Sequence, residues 1–192
     1  MSKVKQKQQR RRSEIIESLI PLIQSVPFDE LSVTDMCEAA GISVGTFYHY
    51  FIKKSDILVG LLTLIDDELE AYVFPQLTSE DETENLRIFA NGWAVHVQTH
   101  GNERSKLISA VAPSNTDYNG QKRVSVVKLE EIFTRGQQKG QLTSEKTPQQ
   151  LAELFLLALR AVSTDWSRCD GAYPVIERMD DFMALFIKGL RS

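Results

Sequence analysis

Apolar residues recur three or four positions apart over most of this chain, which is the spacing of one buried face of an α-helix. Near the start, the pattern predicts a helix that begins near Arg11 and ends before Pro27. Pro21 is expected to kink this helix or to end it early, because proline lacks a backbone donor. No alternation of apolar and polar residues competes, so no strand is predicted. The sequence therefore predicts an all-α fold.

The helices further along the chain are separated by breaks of glycine, proline and polar residues. The apolar spacing predicts a short helix from Ser32 to Ala40. It predicts further helices over residues 55–74, 83–100, 103–112, 118–139, 148–168 and 174–190.

The segment from Ser32 to Phe51 carries the local signals of two short helices joined by a tight turn. Ser32 and Ser43 are good N-caps, and Gly41 can adopt the left-handed conformation in which a helix ends sharply. The second helix is expected to turn bulky residues inward and short, polar or aromatic tips outward, where they suit the major groove of DNA. The inward residues are Phe47, Tyr50 and Phe51, and the outward ones are Val44, Thr46, Tyr48 and His49.

This segment resembles the signature of the tetracycline-repressor-like (TetR) family of bacterial transcriptional regulators, Gly-Ile-Ser-x-Gly-Thr-Phe-Tyr-x-Tyr-Phe-x-x-Lys. The resemblance covers roughly Ser13 to Leu58. Three positions depart from the commonest pattern, which has a longer polar residue at Val44, proline at Ile52 and a small capping residue at Lys53. The first departure weakens any expected hydrogen bond to a base at that position. The last leaves open the cap of the following helix, for which Ser55 is a candidate.

The resemblance implies two domains. Residues 1–54 would form an N-terminal three-helix helix-turn-helix DNA-binding domain with a basic tail, and residues 55–192 a C-terminal helical effector-sensing and dimerisation domain. It also implies a homodimer that binds a palindromic operator and responds to an unknown small-molecule effector.

The predicted DNA contacts lie on the second short helix and on basic or hydroxyl residues around it. Tyr48 is expected to donate to a phosphate, Thr46 to contact a phosphate or a thymine methyl group, and His49 to face a base or solvent. The alternative is an ordinary helical hairpin whose aromatic residues are all core. The full set is Arg10, Arg11, Ser32, Thr34, Ser43, Val44, Gly45, Thr46, Tyr48, His49, Lys53 and Lys54.

The net charge of −4 argues against a nucleic-acid binder until its distribution is considered. Residues 1–60 hold eight of the 22 basic side chains and seven of the 26 acidic ones, which leaves fourteen and nineteen for the rest. The first twelve residues contain six basic side chains and no acidic one. This tail is expected to be disordered in free solution and to become ordered on DNA.

Two later helices carry broad apolar stripes. The helix over residues 148–168 is apolar around most of its circumference, so it must be buried on two sides. Two such helices from each subunit would make a four-helix dimer interface, and the alternative is that one subunit buries both stripes. The predicted interface residues are Leu151, Phe155, Leu159, Val162, Ile176, Met179, Met183 and Phe186.

The helix over residues 83–100 places Phe89, Trp93, His96 and His100 on one face. With Tyr118 and Trp166 from other helices, these side chains predict an apolar ligand pocket with a few polar groups. The alternative is that the aromatic residues are core and the histidines lie at its solvated edge. The histidines have the i, i+4 spacing of metal ligands, but no third ligand is near in sequence, so no metal is predicted.

The sequence lacks a phosphate-binding loop, a nucleophile elbow and a paired-histidine protease motif, so neither an enzyme nor a cofactor is predicted. It has no stretch that resembles a membrane span or a signal peptide. Cys37 and Cys169 are expected to be buried, reduced thiols, which favours a cytoplasmic location. The prediction is a ligand-responsive repressor. The alternatives are an activator or co-regulator of the same fold and a helical protein-interaction module without a ligand.

Overall fold

Eight α-helices account for most of the described chain. The computed structural model describes residues 3–110, 117–118 and 121–191, with side chains for residues 7–109 and 122–191. The helices are α1 (Lys3–Ser25), α2 (Val33–Ala40), α3 (Val44–Tyr50), α4 (Asp56–Glu68), α5 (Glu82–Ala110), α6 (Val124–Gln138), α7 (Pro148–Arg168) and α8 (Val175–Leu190). The predicted all-α class is confirmed. Among these helices, none combines the length and apolar character needed to cross a membrane.

Three shorter helical turns connect the α-helices. A 3₁₀ turn follows α1 at Phe28–Glu30, and a π-helical turn at Leu69–Val73 leads from α4 into a second 3₁₀ turn at Phe74–Gln76. Four residues also form a small antiparallel pair, with β1 at Asp117–Tyr118 and β2 at Gln121–Lys122.

The strand pair corrects the prediction of a helix from residue 118, because α6 begins only at Val124. The expectation that no strand would form was therefore wrong. The sequence between the two strands reads Asn119-Gly120, the dipeptide that most favours a two-residue hairpin turn. This local signal should have outweighed the helical spacing around it.

The basic N-terminal segment is helical from Lys3, so the prediction of a disordered tail and of a helix start near Arg11 was wrong. Lysine, glutamine and arginine are good helix formers. One turn later, Glu14 accepts hydrogen bonds from Arg10 at 3.2 Å and from Arg11 at 2.9 Å. Such pairs between successive turns stabilise a helix, and they lower the pKa of the Glu14 carboxyl.

Pro21 lies inside α1 without ending it. The helix continues to Ser25 because Leu19 and Ile23, on either side of the proline, are buried on its inner face. Burial of that apolar face offsets the one backbone hydrogen bond that the proline removes.

The chain divides into two compact units, Met1–Leu64 and Ile65–Ser192. In the first, α1 packs on α2 and α2 on α3, over a core that includes Met36 and Phe47. In the second, α5 packs against α6, α7 and α8. The predicted division at residue 54 stays a prediction of where the DNA-binding part ends.

α5 is interrupted at Gly101, whose φ of 79° and ψ of 173° are not helical. Residues with a side chain rarely adopt this φ, whereas glycine does so readily. The predicted break at this position is confirmed.

The two cysteines differ in their surroundings. Cys37 is buried on the inner face of α2, and burial raises the pKa of its thiol. Cys169 is exposed, so the prediction of a second buried thiol was wrong. Cys169 is the residue that follows the last turn of α7, where the buried face of the helix has ended.

The apolar stripes of α7 and α8 are largely used inside the subunit. Six of the eight predicted interface residues are buried in the core of the subunit, so their selection was wrong; they are Leu151, Phe155, Leu159, Val162, Met179 and Met183. Ile176 and Phe186 are half-buried. The exposed apolar side chains of these helices lie on a different face and include Leu154, Leu157, Phe182 and Leu185.

Candidate nucleic-acid interface and ligand cavity

The turn between α2 and α3 is fixed by local hydrogen bonds. Ser32 and Asp35 form a reciprocal capping box at the start of α2, with N–O distances of 2.8 and 3.1 Å. Gly41 ends α2 with φ 61° and ψ 37°, the left-handed conformation predicted for it. Ser43 then caps α3 by accepting from the Thr46 backbone N–H at 3.0 Å. α3 therefore begins at a defined angle directly after the turn.

α3 separates buried from exposed side chains largely as predicted, but Thr46 and Tyr50 are both half-buried. Phe47 is fully buried and Phe51, the residue after the helix, is 1% exposed. Val44 and Tyr48 are 45% and 55% exposed, and His49 is also exposed. An exposed apolar and aromatic tip costs free energy in water and is typical of a surface with a partner. This face of α3 is free to enter a groove of DNA.

Thr46 and Gly45 complete this face. The Thr46 hydroxyl lies 2.9 Å from the Ser43 hydroxyl, so either can present its remaining hydrogen-bonding capacity outward. A Cβ built on Gly45 would meet only the Ser43 hydroxyl, at 3.8 Å. Among the residues that the structure describes, nothing requires glycine at position 45. Close approach of a nucleic-acid backbone is a reason to keep it small.

Lys54 was predicted to contact DNA, and the structure assigns it a different role. Its ammonium group donates to the backbone carbonyls of Phe28, Asp29 and Leu31 at 2.9, 3.2 and 2.9 Å. The same nitrogen lies 4.8 Å from the centre of the Phe28 ring. An ammonium group has three donors, and all three are occupied here. Lys54 holds the turn after α1 in place, and its selection as a phosphate ligand was wrong.

The other predicted contacts are accessible. Thr34 and Lys53 are exposed, and Ser32 is exposed despite its capping role. Asp56 accepts from the backbone N–H groups of Ile52 and Lys53 at 2.8 and 3.2 Å. The carboxylate of Asp56, the first residue of α4, thus ties the turn before the helix to its start.

Arg10 and Arg11 lie beside a groove of about 430 Å³ that the sequence did not reveal. The groove has three cationic side chains against one carboxylate, so it suits a phosphate backbone better than a cation. Lys7 and Gln8 belong to it as well and could be found only after α1 was known to start early. The complete lining is Lys7, Gln8, Arg10, Arg11, Glu14, His49 and Tyr50.

Arg12 differs from its neighbours because it is buried. Its guanidinium stacks 5.0 Å from the centre of the Phe51 ring and donates to the Asp56 carbonyl at 3.4 Å. This residue ties α1 to the end of the recognition segment. It belongs to the framework and does not add to the basic surface.

The second unit contains a cavity of about 740 Å³ between the π-helical turn, α5 and α8. Its lining combines apolar side chains with polar ones, which include three carboxylates and one arginine. The residues are Glu68, Leu69, Tyr72, Val73, Gln76, Glu84, Arg87, Ile88, Asn91, Gly92, Val95, His96, Thr99, Asp180, Met183 and Ala184. Both its volume and this mixture of apolar and polar lining are typical of a small-molecule site.

Of the predicted pocket residues, His96 lines this cavity. Phe89, Trp93 and Trp166 are core residues instead, so their selection was wrong. The indole N–H of Trp93 donates to Ser163 Oγ at 3.0 Å, and that of Trp166 donates to the Tyr173 carbonyl at 2.9 Å. Each buried indole is thus satisfied within the protein. The side chain of Tyr118 lies outside the described residues.

His100 does not line the cavity, but it meets His96 at Glu68. Glu68 Oε2 lies 2.6 Å from His96 Nδ1, and Oε1 lies 2.7 Å from His100 Nε2. Arg104 Nη1 lies 2.7 Å from His100 Nδ1 on the other side of that ring. The paired histidines were visible in the sequence, whereas Glu68 was not, because it lies on a different helix.

These contacts and the burial of the cluster determine which of its groups carry a proton. Burial lowers the pKa of His96, which is 4% exposed, more than its hydrogen bond to Glu68 raises it. Burial alone would raise the pKa of Glu68, but its interactions with both histidines outweigh that effect and lower it. Glu68 is therefore a carboxylate that accepts one hydrogen bond from each ring.

A capped helix pair with an exposed second helix, as α2 and α3 form here, defines a helix-turn-helix domain. Residues 15–61 match the family of bacterial regulatory proteins described as the tetR family. The match covers the helix-turn-helix segment and ends within the first unit.

Three known proteins show how far the likeness extends. The HTH-type transcriptional regulator EthR of Mycobacterium tuberculosis is 26% identical over 95 residues, which cover 50% of this chain and 44% of EthR. The chain thus matches less than half of the length of that relative. FadR from Bacillus subtilis in complex with stearoyl-CoA has a TM-score of 0.67 at 16% identity, over 93% of this chain and 98% of FadR. AibR in complex with isovaleryl coenzyme A and operator DNA has a TM-score of 0.61 at 20% identity, over 94% and 98%. At these identities the two structures establish the fold.

Proposed function

We propose that this protein is a transcriptional regulator that binds a palindromic operator as a homodimer and releases it when a small molecule binds. The observation that carries the proposal is the exposed face of α3. Val44, Tyr48 and His49 face outward from a helix whose other side is anchored by Phe47 and Phe51. The groove beside Arg10 and Arg11 supplies cationic groups for the phosphate backbone. The complex of AibR with operator DNA supports the same assignment.

The experiment that tests it is fluorescence-anisotropy binding of the purified protein to DNA fragments from around its own gene, at two salt concentrations. A repressor should bind one palindromic fragment saturably without any effector, and more weakly at higher salt. Binding that requires an added effector would identify an activator instead. Absence of binding to these fragments and to sequences selected from random DNA would favour a protein-interaction module.

Two conservative variants should separate positioning contacts from base contacts. Tyr48→Phe removes a hydroxyl that we assign to a phosphate, so it should weaken binding to all sequences by about 1 kcal/mol, roughly fivefold. Thr46→Ser removes the methyl group that could contact a thymine, so it should instead change the preferred sequence, as selection from random DNA would measure. Tyr72→Phe is the matched control, because Tyr72 is an exposed tyrosine of the other unit. If Thr46→Ser kept the original preference, the base-reading role of Thr46 would be wrong.

For the dimer, we propose the exposed apolar side chains Leu154, Leu157, Phe182 and Leu185 of α7 and α8 as the contact surface. Leu185 is 76% exposed, an unusual position for leucine on a helix unless a partner covers it. Leu185→Glu should raise the dimer dissociation constant at least about tenfold, as measured by sedimentation equilibrium, because association would bury a charge. Val127→Glu on α6, where valine is 40% exposed, is the control. A Leu185→Glu protein that dimerises as tightly as the wild type would contradict this surface.

The effector is proposed to occupy the cavity of the second unit. The FadR and AibR structures are complexes with stearoyl-CoA and with isovaleryl coenzyme A. The described cavity carries Glu68, Glu84 and Asp180 against Arg87 alone. Such a lining repels the phosphates of coenzyme A, so an acyl-CoA could place its acyl chain here only with its phosphates outside. We infer an effector with an apolar body and a neutral or cationic head for the cavity itself.

The proposed response is a shift between subunit arrangements with different spacings of the two α3 helices. An effector changes operator affinity only by its differential affinity for those arrangements. α4 is the element expected to transmit the change, because its first residue, Asp56, caps the turn after the recognition segment and its last, Glu68, lines the cavity. A screen for release of bound operator should begin with one hydrophobic cation and one acyl-CoA.

A further inference from the structure

The cluster of Glu68, His96 and His100 has the composition and convergence of a metal site. One nitrogen of each histidine and one oxygen of the carboxylate lie within 4.8 Å of one another. His96 and His100 are one turn apart on α5, and their ring centres are 4.4 Å apart. Glu68, at the end of α4, places one oxygen against each ring. We propose that these three residues bind one divalent transition-metal ion, with Zn²⁺ as the representative. The proposal does not depend on the DNA-binding role.

The donor set selects the kind of ion. Two imidazole nitrogens with one carboxylate oxygen suit borderline cations such as Zn²⁺, Ni²⁺ and Co²⁺, whereas Mg²⁺ prefers oxygen ligands and water. Three protein ligands leave at least one coordination position open for water or a ligand. Glu68 and His96 also line the cavity, so an effector with a donor atom could occupy that position.

The geometry requires only a small adjustment. Zn–N and Zn–O bonds of about 2.0–2.2 Å place adjacent ligand atoms of a tetrahedron about 3.4 Å apart. The observed N–O distances of 2.6 and 2.7 Å are those of hydrogen bonds, so each must widen by about 0.7 Å. The side chains of Glu68 and His100 are 35% and 27% exposed and have room to turn, while His96 is fixed by burial.

Arg104 should weaken binding of the ion through its positive charge and its contact with His100, so its replacement gives a specific test of the proposal. A guanidinium only donates, so its contact with His100 Nδ1 requires that nitrogen to accept. The ring proton then lies on Nε2 and is donated to Glu68. An ion bound at Nε2 moves this proton to Nδ1, and Arg104 must withdraw. Metal-bound histidines normally donate their second N–H to an acceptor. Replacing Arg104 by glutamine supplies such an acceptor and removes a positive charge beside the ion.

The test is calorimetric titration of metal-free protein with Zn²⁺, with the visible spectrum of bound Co²⁺ as a second readout. The wild type should bind one ion per subunit, and Mg²⁺ should not compete. Glu68→Gln and His100→Gln should each weaken binding tenfold or more, whereas Arg104→Gln should strengthen it roughly tenfold. His49→Gln is the matched control. The chain has three histidines, and His49 is the one outside the cluster, on the exposed face of α3.

Circular dichroism of each variant establishes that it is folded before its affinity is compared. The proposal is overturned if the wild type shows no saturable 1:1 binding of Zn²⁺ or Co²⁺. It is also overturned if folded His100→Gln protein binds as tightly as the wild type, or if Arg104→Gln weakens binding. Loss of binding in His49→Gln would assign the ion to another site and refute this one.

Discussion

Lys54→Met is expected to lower the free energy of unfolding by about 2–4 kcal/mol, as measured by urea denaturation. The substitution keeps the length of the side chain and removes its charge and its three donors. The carbonyls of Phe28, Asp29 and Leu31 then lose hydrogen bonds of 2.9, 3.2 and 2.9 Å. A hydrogen bond to a charged group contributes about 1.5–3 kcal/mol. The three share one half-buried donor, so their sum is well below three times that value.

Lys53→Met is the matched control, because the adjacent lysine has an exposed side chain. Its removal should change the free energy of unfolding by less than about 0.5 kcal/mol. If Lys53 contacts a phosphate, the slope of the logarithm of the DNA-binding constant against the logarithm of the salt concentration should become smaller in magnitude by about one. Equal urea midpoints for the two variants would show that the Lys54 contacts contribute nothing to stability.

The recognition segment could be predicted from the sequence because its signals are local. Ser32, Gly41 and Ser43 each act on backbone groups within five residues, and the structure shows the caps and the left-handed turn that they favour. The burial of Phe47 and the exposure of Tyr48 follow from helical periodicity alone. Local rules suffice where every partner is a near neighbour in sequence.

Lys54 shows where rules based on near neighbours in the sequence fail. Its three acceptors lie 23 to 26 residues upstream, and only the folded packing of the turn after α1 brings them to the ammonium group. In the sequence it was an exposed basic residue beside a DNA-reading helix, like Lys53. The third member of the histidine cluster was hidden for the same reason, because Glu68 is 28 residues from His96.

The prediction of the dimer surface was wrong for a different reason. α7 is apolar around most of its circumference, so periodicity shows that it is buried on two sides without showing which side faces its own subunit. Phe155 contacts Phe89, Phe133 and Phe186 within the subunit, whereas Leu157 is 53% exposed. The partners of a helix with two apolar faces are set by the tertiary fold.

The largest effect on stability is expected at the ion pair of Asp66 and Arg123 in the second unit. The carboxylate accepts two hydrogen bonds from the guanidinium, at 2.9 and 2.7 Å. The two side chains are 6% and 3% exposed. A second guanidinium is close, because the charge of Arg123 adds to burial in lowering the pKa of Arg160. Asp66 is therefore a negative charge that helps to hold Arg123 beside another cation.

Asp66→Asn should lower the free energy of unfolding by about 3–5 kcal/mol, because Arg123 stays charged and loses its ionised partner in a buried place. Urea denaturation measures the loss. Glu131→Gln, which breaks an exposed pair with Lys128, is the control and should cost less than about 1 kcal/mol. The double variant Asp66→Leu with Arg123→Met should recover much of the loss, since it removes both charges and fills the space with apolar atoms. If Asp66→Asn is no more destabilising than Glu131→Gln, water or other groups compensate the positive charge of Arg123. The ion pair would then not stabilise the fold.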